Sequence, residues 1–166
     1  MKIFDDNFML PIFEILERTR GVEQHPIHHP EGCVLTHSLQ VFEIAIRESH
    51  DTDLVLAALL HDVGKIEKSH GHEKIAIEWL SELVSPKTLW LIEHHMRVWA
   101  YLKGEMKRHG KCVELVEHPW IVHLIQLARW DKSGRNPNKV MVFEPQEIME
   151  KLNLKSLLHF KVSHEV

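Results

Sequence analysis

Several absences narrow the possibilities first. The chain holds only two cysteines, Cys33 and Cys112, and a single tyrosine in 166 residues. Two thiols cannot frame a disulfide-stapled secreted scaffold, and a chain of this length buries a core without them. There is no run of about 18 apolar residues, the length a membrane helix requires. Positive charge is not in excess: 20 Lys and Arg face 24 Asp and Glu, a formal net charge of -4. A broad basic surface for nucleic acid is therefore not expected, although a local basic groove stays open. The opening MKIFDDNFML turns acidic too early for a secretory or transit peptide, so a cytoplasmic location is expected. Internal repeats, low-complexity tracts and linkers are missing. So is any sustained alternation of apolar and polar residues; 140–143 is the only β-like run, and it is short.

What remains is helical punctuation, and it predicts a single all-α domain spanning residues 1–166. A helix is expected over about 7–20 and stops at Gly21. Residues 22–31, rich in His and Pro, read as an ordered loop, and a second helix follows over about 32–49. The next, over about 53–61, is apolar almost all round and belongs at the centre of a helical bundle. Helices are further expected over 72–84, from Ser85-Pro86 to about 102, from Pro119 to about 132, and briefly over 145–152. Residues 103–112 read as charged and exposed, and 136–166 as a C-terminal extension of the motif-bearing part.

Against one tyrosine stand 15 histidines. Histidine is the commonest metal ligand and the usual acid or base near neutral pH. His37, His61-Asp62, His72, His94-His95 and Asp131 each fall where a helix is otherwise apolar or ends against the core. Burying so many polar groups costs several kcal/mol unless each is paired or bound to a cation. Imidazoles and carboxylates converging on a divalent ion remove that cost, and they suit Mn, Fe, Ni, Co or Zn. A metal-free hydrogen-bonded core is the plainer alternative.

The segment LLHDVGK at residues 59–65, a helical histidine upstream and an aspartate downstream resemble the HD superfamily of metal-dependent phosphohydrolases. HPEGCVLTHS (29–38), HGHEKIA (70–76), EHH (93–95) and ARWDKSGR (128–135) are similar to landmarks of the HD domain found in bacterial tRNA nucleotidyltransferases and poly(A)-polymerase-like proteins. The resemblance covers about 29–135 and implies a helical bundle with a buried metal cleft. With no residues left for a nucleotidyltransferase catalytic domain, it implies a free-standing HD unit that does not add nucleotides. The implied activity is phosphoester hydrolysis by a metal-activated water. The implied substrate is small, phosphorylated and nucleotide-like or RNA-end-like, such as a 2′,3′-cyclic phosphate or a phosphomonoester.

The same resemblance implies His37, His61, Asp62 and Asp131 as ligands of a first ion. His72, His94 and His95 are candidates for a second, with Asp62 bridging. His94 and His95 are neighbours on one helix, so only one is expected to be a direct ligand, and which one stays open. One or two divalent ions among Mn, Fe, Ni, Co, Zn and Mg are the implied cofactor. Asp62 and Lys65 are the implied catalytic pair. His29, Lys132, Ser133 and Arg135 are candidates for holding the substrate. Each of these last has a plain alternative as a loop cap or a solvated helix end. Cys33, one turn before His37, reads as a small buried hydrophobe. The tryptophans read as core, with Trp130 placed beside Asp131 where it could meet a base. Two further readings stay open: a mixed-valence diiron oxygenase of the same superfamily, and a non-catalytic nucleotide-binding module.

Overall fold

The computed structural model describes residues 4–164. The first three residues, which share in the reading of the N-terminal sequence, lie outside it. Among the described residues the regular structure is helical throughout. In chain order it comprises α1 (Asp6–Glu17), α2 (Val34–Glu48), α3 (Thr52–Leu60), a 3-10 turn (Val63–Ile66), α4 (His72–Leu80), α5 (Pro86–His94), α6 (Arg97–Leu102), α7 (His109–Val116), α8 (Ile121–Ser133) and α9 (Pro145–His164).

Helix α3 is the hub. Every residue from Leu54 to Leu60 is buried. A helix without a polar face must be covered on all sides, and α2, α5, α8 and α9 supply the cover. Two neighbouring caps set its register against α5. The Asp51 carboxylate accepts from the Leu54 amide at 3.0 Å and pairs with Lys87 Nζ at 2.6 Å. Ser85 caps α5 through the Thr88 amide at 3.1 Å, and its hydroxyl donates to Asp53 Oδ1 at 2.6 Å. Buried Thr88 donates to the Asp53 carbonyl at 3.0 Å. The two N-termini are thereby locked side by side. Both helices are nine residues long, so they also end together. Their C-terminal caps are His61 and His95, whose ring centroids lie 5.1 Å apart.

Three elements differ from expectation. The helix predicted over 86–102 divides at His95 and Met96. The backbone stays right-handed there, but His95 N–H bonds back only three residues, to Ile92 O. The His95 ring competes for that carbonyl through Nδ1 at 2.5 Å. The stretch read as exposed and charged becomes helical from His109, anchored by buried Leu115. The last helix runs past Leu152 to His164 because no glycine or proline stops it; Ile148, Met149 and Leu152 pack into the core.

Gly64 acts by close approach. A Cβ there would lie 1.9 Å from the His72 carbonyl oxygen. The glycine lets the first turn of α4 press against the 3-10 turn and brings His72 to Asp62. We expect Gly64→Ala to lower unfolding free energy by about 1–3 kcal/mol, the usual cost of overpacking. A thermal unfolding scan checks this, with a fall in Tm of a few degrees at the least.

Candidate metal centre

Four imidazoles converge from four directions. His37 lies inside α2, His61 caps α3, His72 opens α4 and His95 caps α5. All four are buried. Each ring is fixed through Nδ1 by a main-chain carbonyl. The partners are Gly134 O at 2.9 Å for His37, Ala58 O at 2.8 Å for His61, Ser69 O at 2.7 Å for His72 and Ile92 O at 2.5 Å for His95. A carbonyl can only accept, so each Nδ1 carries a proton and each Nε2 is turned toward the centre. Outer hydrogen bonds of this kind orient histidines that ligate metals.

Asp62 divides these rings into two groups. Its Oδ2 faces His61 Nε2 at 3.4 Å, His37 Nε2 at 3.7 Å and Lys65 Nζ at 2.8 Å. Its Oδ1 faces His72 Nε2 at 3.0 Å and His95 Nε2 at 3.5 Å. Asp131 closes the first group, with Oδ1 at 2.9 Å from His37 Nε2 and 3.6 Å from His61 Nε2. The donor atoms of His37, His61 and Asp62 lie within 4.8 Å of one another, and so do those of Asp62, His72 and His95.

The chemistry of these donors fits divalent cations. His61 Nε2 is buried and makes no hydrogen bond. His72 Nε2 and His95 Nε2 point at each other across 3.1 Å, a contact of two lone pairs unless a proton or a cation lies between them. In the metal-free protein, protons do that work. Burial alone would depress His37, but the Asp131 and Glu31 carboxylates, with Asp62 behind them, raise it to about 9. Burial also depresses His72, and its bond to Asp62 raises it overall. His95 is held below its ordinary range by burial and by the neighbouring His61 and His72 rings. Burial opposes ionisation of Asp62 and Asp131, yet the facing imidazoles, and Lys65 for Asp62, hold both well below the usual carboxylate range. The centre is an anionic pocket that demands positive charge.

Glu31 carries no signal of its own in the sequence, since loop acids follow no periodicity. The structure buries its side chain and sets Oε1 2.8 Å from His37 Nδ1 and 2.9 Å from His29 Nδ1. Burial raises this carboxyl, and the two rings bring it below its ordinary value. It is the carboxylate behind a first-group histidine.

A cleft of about 650 Å³ opens onto the centre, with Asp62, His72 and Asp131 in its lining. Lys65 lines it too, held by Asp62 and by Gln24 Oε1 at 2.9 Å. His29, Lys132 and Arg135 reach the same cleft. Arg135 is tied to Asp131 Oδ1 at 3.4 Å and to His28 O at 2.9 Å. Two expected residues stay apart. His94 turns away from the centre, stacking on Trp90 at 4.5 Å with its Nδ1 on Trp90 O; its neighbour His95 takes the inward position, because adjacent helical residues point about 100° apart. Ser133 spends its hydroxyl on Arg129 O, 2.9 Å away on its own helix. Cys33 is half-buried at the start of α2, with Sγ 3.6 Å from Thr36 Oγ1. Trp130 is buried and donates from Nε1 to Glu48, so it faces the core and not the cleft. Gln24, Met96, Trp99 and Lys103 line the cleft without having been singled out in the sequence.

The HD domain model matches residues 34–132, more than half of the chain. Among curated proteins, the multifunctional CCA protein of Thioalkalivibrio sulfidiphilus is 37% identical over 79 residues, covering 43% of this chain and 19% of that protein. The multifunctional CCA protein of Methylococcus capsulatus is 39% identical over 79 residues, with the same coverage. That of Nitrosococcus oceani is 46% identical over 54 residues, 32% of this chain and 13% of its own length. The chain thus spans about a fifth or less of the length of these relatives.

Two outcomes follow from this centre. A divalent ion held by His37 would displace its proton. Charged His37 adds to metal-free stability in full below pH 6.5, and that contribution is lost as pH rises through about 9. Metal affinity therefore rises over the same window, with release of at least about one proton per ion at pH 7.5. Calorimetry of Mn²⁺ binding in buffers of different ionisation enthalpy reads both. His95→Ala is expected to lower the metal content of the loaded protein and His94→Ala to leave it unchanged, as measured by elemental analysis after dialysis.

Proposed function

Because the chain belongs to the HD domain family, we propose that it is a metal-dependent phosphohydrolase acting on a small phosphoester of the nucleotide or RNA-end type, a 2′,3′-cyclic phosphate or a phosphomonoester. The observation that carries this reading is the Asp62 carboxylate. Its two oxygens serve two separate histidine groups beneath a cleft that Lys65, Lys132 and Arg135 line with positive charge. His37, His61, Asp62 and Asp131 would hold one ion. Asp62, His72 and His95 would hold a second. Bound there, such ions supply Lewis acidity toward a phosphoryl oxygen and a water made acidic near neutral pH.

The remaining parts belong to the chain. Main-chain carbonyls hold the four rings in place before substrate arrives, so no reorganisation is needed at the moment of reaction. Lys65 stays near Asp62 and presents an ammonium at the cleft wall, where charge accumulates on a phosphate under attack. Arg135 and Lys132 offer charge-assisted hydrogen bonds to the phosphate oxygens. His29, with Nδ1 held by Glu31, lines the same cleft and leaves its other nitrogen for a ligand. The mixed-valence diiron oxygenase reading draws on the same six donors, His37, His61, Asp62, His72, His95 and Asp131. The cationic lining favours phosphate over an uncharged C–H substrate.

Purified protein with added Mn²⁺, Ni²⁺ or Co²⁺ is expected to hydrolyse 2′,3′-cAMP or nucleoside monophosphates. Asp62→Asn is expected to lower the rate by at least about 100-fold, the equivalent of the several kcal/mol a metal supplies. Metal-loaded protein that turns over none of these esters, or that consumes O₂ in their place, would overturn the proposal.

A further inference from the structure

The five tryptophans are not equivalent. Trp79 carries the Arg18 guanidinium 5.0 Å above its ring. Trp90 stacks with His94 and, at 3.8 Å, with His118; Trp120 meets Trp90 edge-on at 5.9 Å. Trp130 is buried and bonded to Glu48. Trp99 is the exception among the described residues: its ring has no aromatic or cationic partner and its Nε1–H no acceptor. It is half-buried, packing partly against the core, and it lines the cleft beside Met96, itself 45% exposed.

Its position along the chain matters equally. His95, Trp99 and Lys103 are spaced by four residues, and the backbone through His95 and Met96 stays right-handed. Residues four apart share one face of a helix, about 6 Å along its axis from one to the next. Trp99 and the exposed Lys103 are one turn apart on α6 and both line the cleft, and His95, across the break that precedes α6, lies beside Asp62. A phosphoester held over the His/Asp centre would place the next group, across a sugar, at the indole. The cleft volume falls in the range of about 300–1,000 Å³ typical of small-molecule sites. An inorganic or sugar phosphate would leave the wall of Trp99 and Met96 in water.

We infer that Trp99 is the stacking platform for the base of a nucleotide substrate, with Lys103 at the flanking phosphate or the open end of the cleft. This rests on the proposed phosphohydrolase reading and narrows its substrate class to nucleoside phosphates with an unpaired base. Every base presents a π face, so the platform accepts purines and pyrimidines alike.

The test is binding rather than turnover. Adenosine 2′-monophosphate, cytidine 2′-monophosphate, adenosine and ribose 5-phosphate are titrated by calorimetry into the full chain as wild type, Trp99→Phe and Trp99→Ala. Both nucleotides are expected to bind wild type about tenfold or more tighter than ribose 5-phosphate; Trp99→Ala erases that advantage and spares ribose 5-phosphate, and Trp99→Phe keeps most of it. In wild type, the indole N–H resonance assigned to Trp99 by its loss in Trp99→Phe is expected to shift on adenosine addition. That measurement stands even if Trp99→Ala does not fold. Equal binding of nucleotides and ribose 5-phosphate, a Trp99→Ala loss shared by all probes, or an unmoved Trp99 resonance would each overturn the platform. Base-dependent binding without hydrolysis under any metal would retain the platform and overturn the hydrolase. Hydrolysis indifferent to the base would do the reverse.

Discussion

The Asp62 carboxylate is shared between two groups of imidazoles, and most of the structure around it can be understood as the means of holding it there. A buried carboxylate is costly unless opposite charge and hydrogen bonds surround it. Lys65 and four Nε2 atoms do so from four helices and a 3-10 turn. None of these helices could bury its histidine alone. The centre is therefore a product of helix packing, and the polar cluster sits where the hydrophobic packing of α3 ends.

Local rules explain how the helices deliver those rings. Asp51 and Ser85 start α3 and α5 side by side, and equal length brings His61 and His95 to the same end. Gly64 admits the His72 backbone where a Cβ would collide with it. Gly134 does the same at the end of α8: a Cβ there would lie 2.6 Å from Val41 Cγ2, and the carbonyl of this glycine holds His37. The two glycines thus serve as contact points. Cationic side chains and the half-buried Trp99 line the cleft above the His/Asp centre.

Much of this was legible before the fold. The apolar run of α3 announced a central helix, Ser85-Pro86 announced a helix start, and His61-Asp62 at the end of that run was the first candidate for the centre. His37 and Asp131 could be paired with it through motif resemblance. Other features were not legible for definable reasons. His94 and His95 differ by one helical step, and only the packing of α5 against α3 chooses between them. Glu31 sits in a loop, where no periodicity marks a buried acid. Trp99 read as core, and part of it packs there, because composition cannot tell a fully covered ring from one that also lines a cleft. The break after His94 comes from a side chain competing for a main-chain carbonyl, an event outside any propensity scale.

The order of residues along the chain by itself determined the helical class, the central helix and the kinds of donor available, because periodicity, caps and side-chain chemistry are local properties. Only the tertiary structure decided which imidazole faces Asp62, which carboxylate backs His37 and which tryptophan lines the cleft. Those choices depend on distances between groups as far apart in sequence as His37 and Asp131, and only helix packing sets such distances.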